Sequence, residues 1–182
     1  MTAAPPVAAG TGGPPPGVPH PEQVVGVTVA GQVFGIPVPR VREVLGPRPL
    51  TRVPLAAPEV AGLLNLRGRI VTVIDLARRL DMPAPGRPGR AMNVMVEHEG
   101  ELYGLLVDAV GEVLALPPAG REAPPATLDR RWRRLCDGIH RLADGVLVVL
   151  DVPRLIEPEA GRLGRDREAP APGPAHPSPS PG

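Results

Sequence analysis

Few side chains in this chain of 182 residues are equipped for chemistry, and their spacing does not bring them together. The histidines are His20, His98, His140 and His176, and none has a Cys, His, Asp or Glu partner at a metal-ligand spacing. Cys136 is the single cysteine; Asp137 and Gly138 follow it into a strand-like run, with no nucleophile motif around it. One cysteine gives no internal disulfide framework and suits a reducing compartment. Asp75, Asp108 and Asp151 qualify as acid–base groups by type alone. Asp75 and Asp151, however, each precede a short mixed apolar and Arg stretch, which is where a helix N-cap sits. Asp108 is read in the same way, as the cap of a short helix over 109–113. The Gly-Thr-Gly-Gly run at 10–13 leads into prolines, not into a helix, so it does not cradle a phosphate. Catalysis needs a convergent set of groups, and none assembles. No enzyme activity, cofactor or metal is expected.

Arg130-Arg131-Trp132-Arg133-Arg134 is the sharpest charge run. It raises the alternative of a nucleic-acid-binding barrel. Single-strand binding calls for several aromatic platforms, and the chain has one Trp, one Tyr and one Phe. The expectation is therefore a solvated helix or loop with Trp132 packed on the body of the fold. The same shortage of aromatics argues against a proline-peptide groove. All 20 basic residues are Arg, and the net charge of +1 gives no general attraction to nucleic acid or an anionic membrane.

The elements that would position these residues come from hydrophobic period. Val25, Val27 and Val29 alternate as in a half-buried strand. A turn at Gly31-Gln32 returns the chain as a second strand over 33–38. The pattern then repeats. Residues 31–45 match 100–114 at a shift of 69: Gly35 falls on Gly104, Phe34 on Tyr103, Val41 on Val110 and Glu43 on Glu112. Residues 62–80 match 138–156 at a shift of 76: Gly62 falls on Gly138, Leu66 on Leu142, Asp75 on Asp151 and Arg78 on Arg154. Pro39 stands where the second copy has Asp108. The folded unit is two copies of one strand-rich module, each with short helical pieces. A closed pair of small barrels is the natural architecture, because closure removes exposed edges.

Both ends are Pro- and Gly-rich and lack runs of large apolar residues. Residues 1–21 and 158–182 are expected to be disordered tails, leaving 22–157 as the folded unit. The first residues show no basic segment followed by an apolar one, and no stretch approaches the ~20 apolar residues of a membrane helix. A soluble, cytoplasmic protein without membrane insertion is expected.

The copies differ in one informative place. Residues 65–68 read Asn-Leu-Arg-Gly, and the matching 141–144 read Arg-Leu-Ala-Asp. The Leu persists, as a core residue should, but Arg67 has no equivalent. A planar guanidinium suits recognition of a partner carboxylate or carbonyl.

The run VAGLLNLRGRIVTVIDL (60–76), preceded by FGIPVPRVREV (34–44) and followed by GLLVDAVGEV (104–113) and VLVVLDVPRLI (146–156), resembles the CheW-like domain family, element by element and in order, over about 24–157. The resemblance implies a mainly β fold of two intertwined, five-stranded SH3-like barrels with short helices. It implies a non-enzymatic adaptor, without cofactor, that binds the cytoplasmic tip of methyl-accepting chemoreceptors and the regulatory domain of a CheA-type histidine kinase, and no nucleic acid. It carries partner contacts onto Glu43 and Arg67, and with them Val41, Gly62, Asn65 and Gly68. Thr72 departs from the pattern, which usually has Pro there, and so bears on the local strand geometry. A CheW-like scaffold of a non-chemotactic pathway is the alternative.

Overall fold

The structure, a computed structural model, describes residues 21–83, 90–142 and 145–157. The tails expected at 1–21 and 158–182 lie outside the described residues, Pro21 excepted. The first copy contributes β1 (Glu22–Val29), β2 (Gln32–Pro37), a 3-10 turn at Val38–Arg40, β3 (Val41–Leu45), β4 (Val60–Leu66), β5 (Arg69–Asp75) and α1 (Leu76–Arg79). The second contributes β6 (Met92–His98), β7 (Glu101–Val107), β8 (Ala109–Leu116), a 3-10 turn at Pro118–Gly120, β9 (Arg121–Glu122), α2 (Arg130–Leu135), β10 (Cys136–Leu142), β11 (Gly145–Leu150) and α3 (Val152–Ile156).

The copies exchange strands. One sheet runs β8-β1-β2-β11-β10-β9 and the other β3-β6-β7-β5-β4. The opening hairpin of each copy thus lies between the third strand and the closing hairpin of the other copy. Within each sheet the hairpins are antiparallel, and the joint between copies is parallel: Val148 and Val149 face Phe34 and Gly35, and Thr72–Asp75 face Tyr103–Leu106. The two sheets have the same order under the repeat. The sixth strand, β9, has its counterpart in the isolated bridge of Thr51 with Leu63, since Glu122 pairs with Ile139, the repeat mate of Leu63.

This exchange buries the sheets on both faces. Val25, Val27, Val29, Phe34, Ile74, Val94, Val96, Leu105, Val148 and Leu150 form one core between the sheets. The opposite parity fills two smaller clusters, Val24, Leu116, Leu147 and Val149 in one barrel and Leu64, Val71, Val73 and Met95 in the other. Successive strand residues point to opposite faces, so runs such as Leu147–Leu150 are apolar at every position because both sides are covered.

Three two-residue hairpin turns share one conformation. Ala30-Gly31, Arg67-Gly68 and Glu99-Gly100 have φ of 49 and 81, 52 and 85, and 51 and 81 degrees. Positive φ at both central positions is what a type I′ hairpin requires, and Gly at the second supplies it without strain. The first turn therefore lies one residue earlier than Gly31-Gln32, the position expected from sequence. Thr72 sits inside a continuous β5, paired with Leu63 on one side and Tyr103 on the other, so the departure from Pro leaves the strand regular.

One expectation is overturned. The segment after Asp108 is not a helix but β8, eight residues paired to β1. A single helical turn containing Gly111 and the β-branched Val110 and Val113 is weak, and the open edge of β1 offers a full ladder instead. The Asp108 carboxylate accepts from the backbone N–H of Ala30, fastening the first hairpin turn. The other two aspartates are caps. Asp75 Oδ1 accepts from the N–H groups of Ala77 (3.0 Å) and Arg78 (3.3 Å), and Asp151 Oδ1 from that of Arg154 (3.1 Å).

The helices also carry the deepest difference between the copies. Asp75 N–H donates to Glu59 O and Asp151 N–H to Leu135 O, which makes Glu59 and Leu135 equivalent. Arg79 and Leu155 are equivalent by the same shift. Where the second copy has two buried leucines, the first has a buried Glu59 and Arg79, with Oε1 and Nη1 3.7 Å apart. The Arg79 guanidinium also donates to the carbonyls of Arg154 (2.7 Å), Leu155 (2.9 Å) and Glu157 (2.7 Å). It thereby caps the C-terminus of α3 and ties the first copy to the end of the second.

Two stability predictions follow from these contacts. A Cβ at Gly62, whose φ is +153°, would lie 2.6 Å from Thr51 O. In urea unfolding Gly62→Ala should lose about 2 kcal/mol or more, against about 1 kcal/mol for Gly68→Ala, which meets open space. Equal losses would show that the approach of Thr51 is not what demands Gly62. Arg79→Leu strands the Glu59 carboxylate and should cost about 3–5 kcal/mol. Adding Glu59→Leu, to copy the leucine pair of the second half, should recover part of that loss.

Candidate functional site

The β4–β5 hairpin gives Arg67 its place. Leu66 faces Arg69 and Asn65 faces Ile70, leaving Arg67-Gly68 as the two turn residues. Arg67 occupies the first turn position at φ +52°, a left-handed conformation that an Arg does not adopt without support. Support comes from Asn65, whose Oδ1 accepts the Gly68 N–H at 2.9 Å. The bond closes a side-chain turn over the backbone turn, which is what Asn does well. Asn65 and Gly68 thus hold the hairpin tip in the form that projects Arg67.

The guanidinium reaches Glu43. Arg67 Nη2 lies 3.2 Å from Glu43 Oε2. Glu43 is on β3, and β3 and β4 are the two opposite edges of their five-stranded sheet. The contact therefore spans the seam where the sheet curls into a barrel. The Arg67 side chain is 79% exposed and that of Glu43 29%. An ion pair this wet adds little to stability. Its effect is geometric: it lays a planar five-donor group along the surface, with only one donor engaged by Glu43.

The other expected residues take different parts. Val41, two positions before Glu43, is half-buried, faces Val96 and packs against the shared core. Gly62 is at the far end of β4 from the turn, buried at a bulge under Thr51. It admits the 50–52 segment to the strand and shapes the surface from beneath. Glu43, Asn65, Arg67 and Gly68 converge; Val41 and Gly62 frame them.

Sequence reasoning missed the apolar surroundings. Ile70, the cross-strand partner of Asn65, is 65% exposed, and Val44, next to Glu43, is 40% exposed. Their repeat mates Val146 and Val113 are exposed too, as is Leu142, the mate of Leu66. The signal was available: Val44 is an apolar residue on the outward parity of β3. The basic run forms α2, capped by Asp129, which accepts from Arg131 N–H at 2.8 Å. Trp132 turns inward as expected, edge-on to Phe34 with ring centroids 5.2 Å apart, its Nε1–H donating to Leu80 O. Arg131 pairs with Asp81.

Among the described residues no three His, Cys, Asp or Glu side chains are placed to hold a metal ion, and no helix is long and apolar enough to cross a membrane. Cys136 is buried, and burial pushes its thiol above the usual range, so less thiolate is present at any given pH. Native protein at pH 8 should accordingly react with a thiol reagent only as fast as it opens, and at full speed in denaturant. Rapid native labelling would contradict the burial.

The fold is thus a pair of strand-exchanged SH3-like barrels with a charged hairpin turn on a half-apolar surface. The CheW-like domain model matches residues 23–160. The chain belongs to the CheW-like domain family. It is 26% identical over 137 residues to the chemotaxis protein CheW of Rhizobium meliloti, covering 75% of this chain and 88% of that protein. To the chemotaxis protein CheW of Helicobacter pylori it is 24% identical over 137 residues, covering 75% and 82%. Among solved structures it is similar to the scaffolding protein TtCheW of Thermoanaerobacter tengcongensis, with TM-score 0.68, 30% identity, and 75% and 93% of the two chains covered.

Proposed function

We propose that this chain is a non-enzymatic adaptor of a chemotaxis-type array that couples methyl-accepting chemoreceptors to a CheA-type histidine kinase. Family membership supports the adaptor class, and the solved relative is described as a scaffolding protein. The observation that carries the reading to a site is Arg67, held at the hairpin tip by Asn65 and Glu43 and absent from the second copy.

In this reading the receptor's cytoplasmic tip, a helical hairpin, lays an apolar stripe beside Val41, Val44 and Ile70. The free donors of Arg67 meet a carboxylate or carbonyl of that helix, which fixes its register. Glu43 pre-orients the guanidinium, so less side-chain entropy is lost on binding. The kinase's regulatory domain binds as the second partner. The adaptor works in the cytoplasm, at the inner face of the membrane that holds the receptors.

Arg67→Ala tests the site. An Arg anchor at an interface typically costs about 2 kcal/mol or more on truncation, a loss of about 30-fold in affinity. In a pull-down against a receptor signalling fragment and the isolated kinase regulatory domain, receptor capture should fall while the unfolding midpoint stays unchanged. Full receptor binding by the variant would remove Arg67 from the site. Absence of binding to either partner by the unaltered chain would remove the adaptor reading itself.

A further inference from the structure

The far end of the same barrel carries a second surface, formed by the loop between β3 and β4. Leu55 is fully exposed and adopts a left-handed backbone, φ +61°. Both features oppose folding: a branched side chain at positive φ is strained, and among the described residues none covers its apolar surface. Val53 beside it is also exposed. The loop is nonetheless well fastened. Thr51 exchanges both backbone hydrogen bonds with Leu63 (2.9 and 2.8 Å), and Arg78 Nη1 donates to Pro58 O at 3.3 Å.

Beneath the loop is a groove of about 410 Å³ lined by Leu50, Val53, Ala57, Val60 and Leu106, with Arg52 on its wall. Asp75 also lines it, but its oxygens are engaged by the N–H groups of Ala77 and Arg78 and by the Arg78 side chain. Glu59 is turned into the protein toward Arg79. Arg48 and Arg52 have no ion pair or side-chain hydrogen bond among the described residues. A groove of mixed polar and apolar lining, with Arg52 and Arg78 on its wall, thus lies beneath a projecting leucine, and Arg48 and Arg52 bring exposed positive charge to the same loop.

The repeat shows how unusual this is. Between the equivalent anchors Thr51 and Glu59 in the first copy and Glu122 and Leu135 in the second, the second copy is five residues longer. There the chain forms α2 and turns Trp132 and Leu135 inward, against Phe34 and the shared core. The first copy has no helix here and turns its leucine out.

We propose that the 48–61 surface docks an acidic amphipathic helix of a partner protein, Leu55 entering between its apolar side chains and Arg48 and Arg52 pairing with its carboxylates. This face lies at the opposite end of β4 from Arg67, so the proposal stands or falls independently of the receptor site.

The test titrates the full-length, ¹⁵N-labelled chain with a synthetic amphipathic helix bearing leucines at i, i+3 and i+4 flanked by Glu, and with the same peptide bearing Lys for Glu. The acidic peptide should shift amides at 48–61 and leave the 65–70 turn unmoved. The Lys peptide should bind at least about tenfold more weakly. Leu55→Asn keeps the left-handed backbone at no cost, because Asn tolerates it. It should lower affinity for the acidic peptide about tenfold or more without lowering the melting temperature, so lost binding cannot be lost folding. Equal binding of both peptides, shifts centred elsewhere, or indifference to Leu55→Asn would overturn the proposal. Concentration-dependent dimerisation that Leu55→Asn abolishes would overturn it too, and would assign the face to a second copy of the chain.

Discussion

The parallel joints of β5 with β7 and of β11 with β2 tie the closing hairpin of each copy to the opening hairpin of the other. Parallel pairing cannot be made by a tight turn, and here neither joint connects neighbours in sequence within one copy. Neither barrel can close until both copies are present. The same joints bring two sheets face to face, and the core between them is the largest among the described residues. A chain with three aromatic residues has no large rings with which to fill a barrel. It gains its buried area by covering both faces of each sheet with Val, Leu and Ile. Helices α1 and α3 depend on this arrangement, because each has one turn or little more and is stable only as a capped lid on the shared core.

Arg67 inherits its position from that closure. The hairpin that presents it is local, but its partner Glu43 is on the opposite sheet edge and arrives only when the sheet curls. An exposed pair of this kind gives the fold little stability, and the left-handed backbone at Arg67 costs some. Stability therefore does not account for the arrangement. The proposed binding role would, because a guanidinium held flat at a hairpin tip is pre-oriented for a partner.

How much of this was legible in the sequence depends on whether the cause was local. The repeat was readable in full, since period-2 alternation and turn glycines are written residue by residue. Asp75 and Asp151 were readable as caps because capping reaches only two or three residues. Asp108 was misread: its sequence context is much the same, and the difference is the open edge of β1, which takes 109–116 as a strand. The Ala30-Gly31 turn was displaced by one residue because register is set by the whole hairpin. The ion pair between Glu43 and Arg67 required barrel closure, so only family resemblance brought the two residues together in advance. The burial of Glu59 and Arg79 gave no local signal either, since an acidic and a basic residue twenty apart read as surface charges.

A duplicated fold offers its own control. Where the copies agree, a shared structural demand suffices: the capping aspartates, the hairpin glycines, the alternating valines. Where they disagree, the demand is met in one half by ordinary packing, and the other half has departed from it. Glu59 and Arg79 replace two leucines and fasten the end of the second copy. Arg67 replaces an alanine and engages Glu43 across a seam. Leu55 stands exposed on a loop where the longer second copy forms a helix. All three departures lie in the first copy's loops and helix, and none lies in the strands that both barrels share. The scaffold is symmetric because closure requires it, and the asymmetry of the surfaces is what the proposed adaptor role calls for, since it offers different faces to different partners. If the two halves had remained alike, each surface would exist twice, and the proposed adaptor would bridge like partners instead of joining unlike ones.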